Sequence, residues 1–297
     1  MTKSVTFPST NEELMVHETV FAPGLLDGKV VFVSGGGSGI GRATAWLSAR
    51  LGATVIVGGR TEEKLLKVTD SINAQDGLSA YYQTLDVRDR GQVEAAFEEI
   101  YRVHDGVDIL VNSAGGQFPQ PSIDYTEKGW HSVINTNLYG TWNMMDAAAK
   151  RWKQAEKSGS IINIVVVGQG LHGVAHTAAA RAGVVTFSEK ASVEWAPLNI
   201  RVNCIAPGAI RTEGWEVYPE SARALYPKTN PLMRAGSPWE IAEAVIFLAG
   251  PGGKFINGET LVIDGGGQHW GEIWTTNKPD YYIEASRLWD STEESDE

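Results

Sequence analysis

Gly35, Gly39 and Gly41 stand in a G-x-x-x-G-x-G spacing, directly after the apolar run Val30-Val31-Phe32-Val33. Glycine lets a backbone approach a pyrophosphate closely, and a helix starting within such a turn presents unpaired N–H groups and a partial positive charge. With Ser38 and Ile40 beside these glycines, the turn has the makings of a phosphate cradle; the plainer reading is a tight turn and nothing more. A P-loop is disfavoured, because it needs Lys and then Ser or Thr after its last Gly, and here Arg42 and Ala43 follow Gly41. The G-x-G-x-x-G spacing fails too, since no register puts Gly at all three positions.

A second chemical group lies one strand further on. Residues 53–57 read as a strand that ends at Gly58-Gly59-Arg60. In a dinucleotide fold this is where the adenosine ribose sits: an acid there bonds a free 2′-hydroxyl, whereas Arg suits a 2′-phosphate by its charge and fork geometry. Arg60, with no acid beside it, points to NADP(H) over NAD(H). Arg42 either helps at that corner or is a solvated helix residue.

The elements that must hold these groups follow from apolar periodicity. Strands are expected near 30–33, 53–57, 79–85, 107–111, 160–167, 200–205 and 259–262, with helices over 42–51, after Thr61, and over 93–103, 129–155 and 177–195. Another helix starts at Ser237-Pro238-Trp239-Glu240, a capping box with Pro at the first helical position. Such alternation predicts a single-domain α/β fold: a doubly wound, Rossmann-like parallel sheet of about seven strands with helices on both faces. Ligands then sit outside the strand C-termini. The domain spans 22–268, between an N-terminal extension, 1–21, and a C-terminal extension, 269–297. Within it, residues 209–236 break the pattern and are rich in Pro and aromatics (Trp215, Tyr218, Tyr226), as a substrate lid or a loop covering the sheet edge would be.

Composition narrows the partners. The chain has 297 residues, is 42% hydrophobic and has no apolar run long enough to span a membrane. A formal charge of -11 argues against nucleic acid or an anionic membrane as partner, and five of those charges belong to the tail acids Asp290, Glu293, Glu294, Asp296 and Glu297. Residues 1–20 carry no signal-peptide core, so a cytoplasmic protein is expected. The single cysteine, Cys204, excludes an internal disulfide and a Cys-cluster metal site, and its apolar surroundings read as core. The six His residues show no H-x-x-x-H spacing with an acidic partner, so no metal is expected.

Taken together, Ser34-Gly35-x-x-x-Gly39-Ile40-Gly41, Asn112-x-Ala114-Gly115, Asn137 within Asn135-Thr136-Asn137-Leu138, and Pro207-Gly208-x-Ile210-x-Thr212 resemble the motif set of the short-chain dehydrogenase/reductase family. The resemblance covers roughly 22–267. It implies a nicotinamide cofactor across the strand ends, a small-molecule substrate and a homo-oligomer, a tetramer or a dimer. It further implies that Asp86 and Val87 flank the adenine, that Asn112, Ala114 and Gly115 lie along the cofactor, and that Ile210 and Thr212, after Pro207-Gly208, meet the nicotinamide amide. Asn137 belongs, by the same resemblance, to the catalytic set.

One departure stands out. The family's catalytic signature is Tyr-x-x-x-Lys with a Ser upstream; here Thr177 takes the Tyr place, Arg181 the Lys place, and Val166 falls where the Ser should be. Thr177 and Arg181 share a helix face at this spacing, but a Thr hydroxyl is far too weak an acid to replace the phenol. Losing a positioned general acid costs about 10²–10⁴-fold. Reduction of a carbon–carbon double bond conjugated to a thioester asks instead for donors aimed at the oxygen where enolate charge builds. Thr177, with Arg181 holding the ribose and supplying positive field, answers that description. Ala22-Pro23-Gly24-Leu25-Leu26, Gly115-Gly116-Gln117-Phe118, Gly129-Trp130-His131 and Ala179-Ala180-Arg181-Ala182-Gly183-Val184 resemble peroxisomal trans-2-enoyl-CoA reductases, which, like the 2,4-dienoyl-CoA reductases, also depart from Tyr-x-x-x-Lys.

The reading is therefore an NADPH-dependent enoyl-thioester reductase using Thr177, Arg181 and Asn137. Two alternatives stay open: a short-chain enzyme acting on a hydroxyl or ketone with another proton donor, or a catalytically silent dinucleotide-binding relative. His172 and His176 are candidate donors or structural residues, and Tyr218 is a lid-borne acid or a packed aromatic. The aromatic stretch from His269-Trp270 to Tyr281-Tyr282 is a subunit contact or a cap on the site.

Overall fold

In the computed structural model, which describes residues 9–166, 170, 172–271, 275 and 278–284, seven parallel strands form one sheet: β1 (Val30–Ser34), β2 (Thr54–Gly59), β3 (Ser79–Thr84), β4 (Ile109–Asn112), β5 (Gly159–Ile164), β6 (Ile200–Pro207) and β7 (Thr260–Ile263). Their order is β3-β2-β1-β4-β5-β6-β7. The chain therefore winds outward from β1 in one direction and returns to β4 to wind in the other. The crevice between the ends of β1 and β4 is the switch point at which doubly wound sheets take ligands.

The helices are α1 (Asn11–Val16), α2 (Gly39–Arg50), α3 (Glu62–Asn73), α4 (Arg90–His104), α5 (Glu127–Ile134), α6 (Gly140–Ala155), α7 (Ala175–Glu194), α8 (Glu220–Arg223) and α9 (Pro238–Ala249). The period-two alternation of strand side chains sorts the core into two layers. Val31, Val33, Val55, Val57, Ile109 and Val111 pack with Trp46, Leu47, Leu65 and Val245 of α2, α3 and α9. Their neighbours Phe32, Ile56 and Leu110 point the other way and pack with Phe97, Met144, Trp152 and Ala191 of α4, α6 and α7. Buried Cys204 lies in β6, where burial pushes its thiol pKa up.

Several boundaries differ from the pattern in the sequence. The helix expected over 129–155 starts at Glu127 and is interrupted: α5 passes into α6 through a π-helical turn, Asn135–Tyr139, in which Gly140 N–H reaches back five residues to Asn135 O. β4 begins at Ile109, and just before it the Asp108 carboxylate accepts from Val30 N–H and from Lys29 Nζ, both at 2.9 Å. The segment 209–236 is not irregular. Its base is closed by Arg211 N–H on Gly236 O and Gly236 N–H on Ala209 O, each 2.9 Å, and short helical turns fill it. The N-terminal segment docks on the domain: buried Leu14 joins the core, and Asn11 Oδ1 accepts from Trp46 Nε1 at 3.0 Å. Val167, the acidic tail and parts of the 269–282 stretch lie outside the described residues.

A buried polar chain ties the strand ends together. Asn112 Nδ2 donates to Asn163 Oδ1 at 2.8 Å, and Asn163 Nδ2 donates to Ser188 Oγ of α7 at 2.9 Å. Asn163→Ala removes two partners from fully buried groups, so it is expected to lower the unfolding free energy by roughly 1–3 kcal/mol, read as a lower urea midpoint at unchanged m.

Candidate active site

β1 delivers the chain into the glycine turn. Gly35 has a φ of +73°, which side chains rarely adopt, and a Cβ there would lie 2.7 Å from Ala114 N across the switch point. Gly41 backs onto the Gly35 carbonyl just as tightly. The turn thus brings the first motif directly against Asn112-x-Ala114-Gly115. α2 then starts at Gly39 without a cap from Ser38 and without an acid in its first turn. Its N-terminus nevertheless holds an anion: Gly39 N–H donates to Glu213 Oε2 at 3.0 Å, and Arg42 Nη2 lies 2.9 Å from Glu213 Oε1. Arg42 also donates to Ser9 O, so it is not a solvated helix residue. Nothing in the sequence marked Glu213.

At the adenosine end, Arg60 is exposed just past β2. Asp86, beyond β3, is gripped by Arg88, with Nε 2.9 Å from Oδ1 and 3.0 Å from Oδ2. That guanidinium holds the Asp86 carboxyl below its ordinary pKa, and Arg60 contributes from further off. Val87 is buried, and its carbonyl accepts from Asn143 Nδ2 at 2.9 Å. Arg88 was missed in the sequence; only its place at a strand end, two residues past Asp86, could have suggested it.

The residues expected to be catalytic do converge. The π-helical turn carries Asn137, whose amide is fully committed: Oδ1 accepts from Gly116 N at 2.9 Å, while Nδ2 donates to Gly116 O at 2.9 Å and to Thr177 Oγ1 at 2.7 Å. Extra turns of this kind re-aim side chains at functional sites. Thr177 is closed off from solvent, so in this conformation its hydroxyl acts on Asn137 and not on an open pocket. Arg181, one turn on along α7, is also buried. Its Nη2 donates to Ala114 O at 3.3 Å, its Nη1 has no partner, and no ion pair with an acid forms among the described residues. Burial lowers its pKa to about 10, so it stays charged at neutral pH. Gly115 leaves the space that guanidinium fills, since a Cβ there would overlap it.

The flanking candidates divide. His176 is buried: its Nδ1 accepts Thr177 N–H at 2.8 Å, its ring stacks on Tyr125 at 4.5 Å and packs edge-to-face with Phe118 at 4.5 Å, and its Nε2 has no partner. His172 is exposed. In the lid, Trp215 and Tyr218 pack edge-on against Tyr226, at 4.9 and 5.5 Å, and Tyr218 Oη receives a hydrogen bond from Gln117 Nε2, on the loop clamped by Asn137. At the end of β6, Pro207 and Ile210 are buried and Gly208 N–H donates to Ile263 O at 2.9 Å. Thr212 follows and packs over the glycine turn, where a Cβ on Gly39 would lie 3.2 Å from it.

The arrangement fits a dinucleotide. The glycine cradle has no room for a side chain, the α2 N-terminus already holds a carboxylate where a phosphate would go, and Arg181 Nη1 waits for an acceptor. Among the described residues no group of His, Cys, Asp and Glu could hold a metal, and no helix is long and apolar enough to cross a membrane.

Comparison with known proteins agrees with this geometry. Residues 35–268 match the family model described as Enoyl-(Acyl carrier protein) reductase. The 3-oxoacyl-(acyl-carrier-protein) reductase FabG of Thermotoga maritima is 37% identical over 81% of this chain and 98% of its own. A Bacillus subtilis protein named Probable 2,4-dienoyl-CoA reductase is 38% identical, over 81% of this chain and 97% of its own. Among solved structures, the citronellol catabolism dehydrogenase AtuB of Pseudomonas aeruginosa superposes with a TM-score of 0.76 at 38% identity, covering 85% of this chain and 100% of that one.

A lone buried guanidinium costs stability, and the cost is present in full below about pH 10 and relieved only as pH rises above it. Arg181→Met, which keeps the volume, is therefore expected to raise the melting temperature by roughly 2 °C or more in calorimetry near neutral pH. A lower value would show that the fold itself satisfies the charge.

Proposed function

This chain belongs to the short-chain dehydrogenase/reductase family, whose members bind a nicotinamide dinucleotide, and from that premise we propose that it is an NADPH-dependent reductase of the α,β double bond of an enoyl thioester. The observation that carries the reading is the pairing on α7 of a solvent-closed Thr177 with a charged Arg181 that has no counter-ion and whose Nη1 has no partner. A carbonyl reduction needs a proton delivered to oxygen, and α7 offers no phenol for it. Conjugate reduction builds negative charge on the thioester oxygen, and a desolvated guanidinium stabilises such charge strongly.

When bound, the cofactor supplies the hydride. The hydride adds to the β carbon, solvent water supplies the proton that the α carbon then takes, and the protein's own residues bind, orient and stabilise charge. Arg181 binds ribose hydroxyls through Nη1 and contributes positive field beneath Gly115. Asn137 acts as a positioning residue, holding the peptide at Gly116 while Thr177 fixes its amide. Arg60 takes the 2′-phosphate, and Arg88 keeps Asp86 from repelling it by engaging both carboxylate oxygens. The lid closes the site from water, anchored by Tyr218 on Gln117.

A second reading rests on that same anchor. Tyr218 accepts from Gln117, which leaves its own proton free, and burial raises its pKa. A phenol so placed could serve a 3-oxoacyl reduction, the activity named for the Thermotoga relative.

Crotonyl-CoA and acetoacetyl-CoA, offered separately with NADPH, separate the two by the rate of NADPH loss. Turnover of crotonyl-CoA with at most trace activity on the ketone is expected; the reverse preference would install the second reading. Nucleotide binding without turnover of either would leave a silent relative. Arg60→Asp is expected to shift the NADPH/NADH ratio of kcat/KM towards NADH by about tenfold or more, the size of one lost charge-assisted contact. An unaltered ratio would remove Arg60 from the cofactor site.

A further inference from the structure

We propose that Arg42 is a ligand of the cofactor's phosphate bridge, and that the Glu213 carboxylate holds that place until the cofactor displaces it. The inference rests on dinucleotide binding at the glycine turn, not on the identity of the substrate.

Three observations meet at one carboxylate. Each of its oxygens takes one donor, Gly39 N–H at 3.0 Å and Arg42 Nη2 at 2.9 Å. The donors belong to the first turn of α2, and the acceptor is 174 residues away in sequence from Gly39, on the first turn of the lid. Helix α2 contributes no acid to its own first turn and no side-chain cap at Ser38. The positive end of the helix is therefore balanced by a group from elsewhere, which is what a site designed for a removable anion requires.

Arg42 is set for the exchange. Its side chain is held between the lid and the N-terminal segment through Ser9 O, which fixes the guanidinium over the turn. Its Nε is buried and has no partner, so the fork has a donor still unspent. A phosphate spans the same two donors as a carboxylate and carries additional acceptor oxygens for Nε. The two anions cannot share the site. A phosphate seated on the Gly39 N–H must move Glu213.

The lid turn Glu213–Val217 is fastened to the cradle through Glu213, and cofactor binding unfastens it. Arg42 adds to affinity in that state, whereas Glu213 subtracts from it.

The test reads binding without any substrate. Calorimetric titration with ADP-ribose, which carries the pyrophosphate but no nicotinamide, is done on wild type, Glu213→Gln, Arg42→Ala and the double variant, each checked for an intact melting transition. Glu213→Gln is expected to bind about tenfold more tightly, and Arg42→Ala to lose about tenfold even in the Glu213→Gln background. Amide hydrogen exchange over 213–217 is expected to speed up when ADP-ribose is added to wild type and to be indifferent to it in Glu213→Gln. Unchanged affinity in Glu213→Gln would overturn the role of Glu213, as would unchanged exchange in wild type. Equal affinity of the double variant and Glu213→Gln would overturn the role of Arg42. Because no enoyl thioester takes part, a failure here leaves the proposed reaction standing, and a failure of the reaction leaves these results interpretable.

Discussion

A guanidinium buried without a counter-ion is the constraint around which this site is arranged. Arg181 sits inside the fold, donates once to Ala114 O and leaves Nη1 without a partner. Such a charge disfavours the folded state by itself, and burial brings its pKa down to about 10 without neutralising it at physiological pH. Everything next to it makes room: Gly115 has no side chain to clash with it, and the strand end at Asn112 is fixed by a buried amide chain through Asn163 to Ser188 on Arg181's own helix. Strain of this kind is tolerated where a function uses it.

The loop that covers Arg181 is held by hydrogen bonds at Gly116 and by the packing of Phe118 on His176. Asn137, brought in by the π-helical turn, spends its whole amide on Gly116 and Thr177. An uninterrupted helix would carry Asn137 to another azimuth and leave Gly116 unheld. The same loop meets the segment 209–236 through Gln117 and Tyr218, while Glu213, near the start of that segment, fastens it to α2.

Substituting the α7 residues alters the chemistry the family scaffold supports. A phenol and an ammonium together pass protons; a tied hydroxyl and a guanidinium hold charge. The fold's relatives include proteins named for carbonyl reduction and for dienoyl reduction, so the scaffold itself does not choose between them. In the proposed reaction the choice falls to two positions of one helix, Thr177 and Arg181.

Much of this was legible in the sequence. Apolar runs of strand length, broken by glycine turns and followed by helical periodicity, report local preferences, and those preferences dictate a doubly wound sheet in which Gly35, Asn112, Thr177 and Pro207 must all lie at strand ends or beside them. The spacing of Thr177 and Arg181 likewise fixes them on one helix face, because the helix repeat is a local property. What only the tertiary structure decided is who touches whom. The π-helical turn leaves no mark in apolar periodicity, and Glu213 reaches Gly39 across 174 residues of chain. Such contacts depend on the packing of whole layers, which sets distances that no run of neighbouring residues encodes.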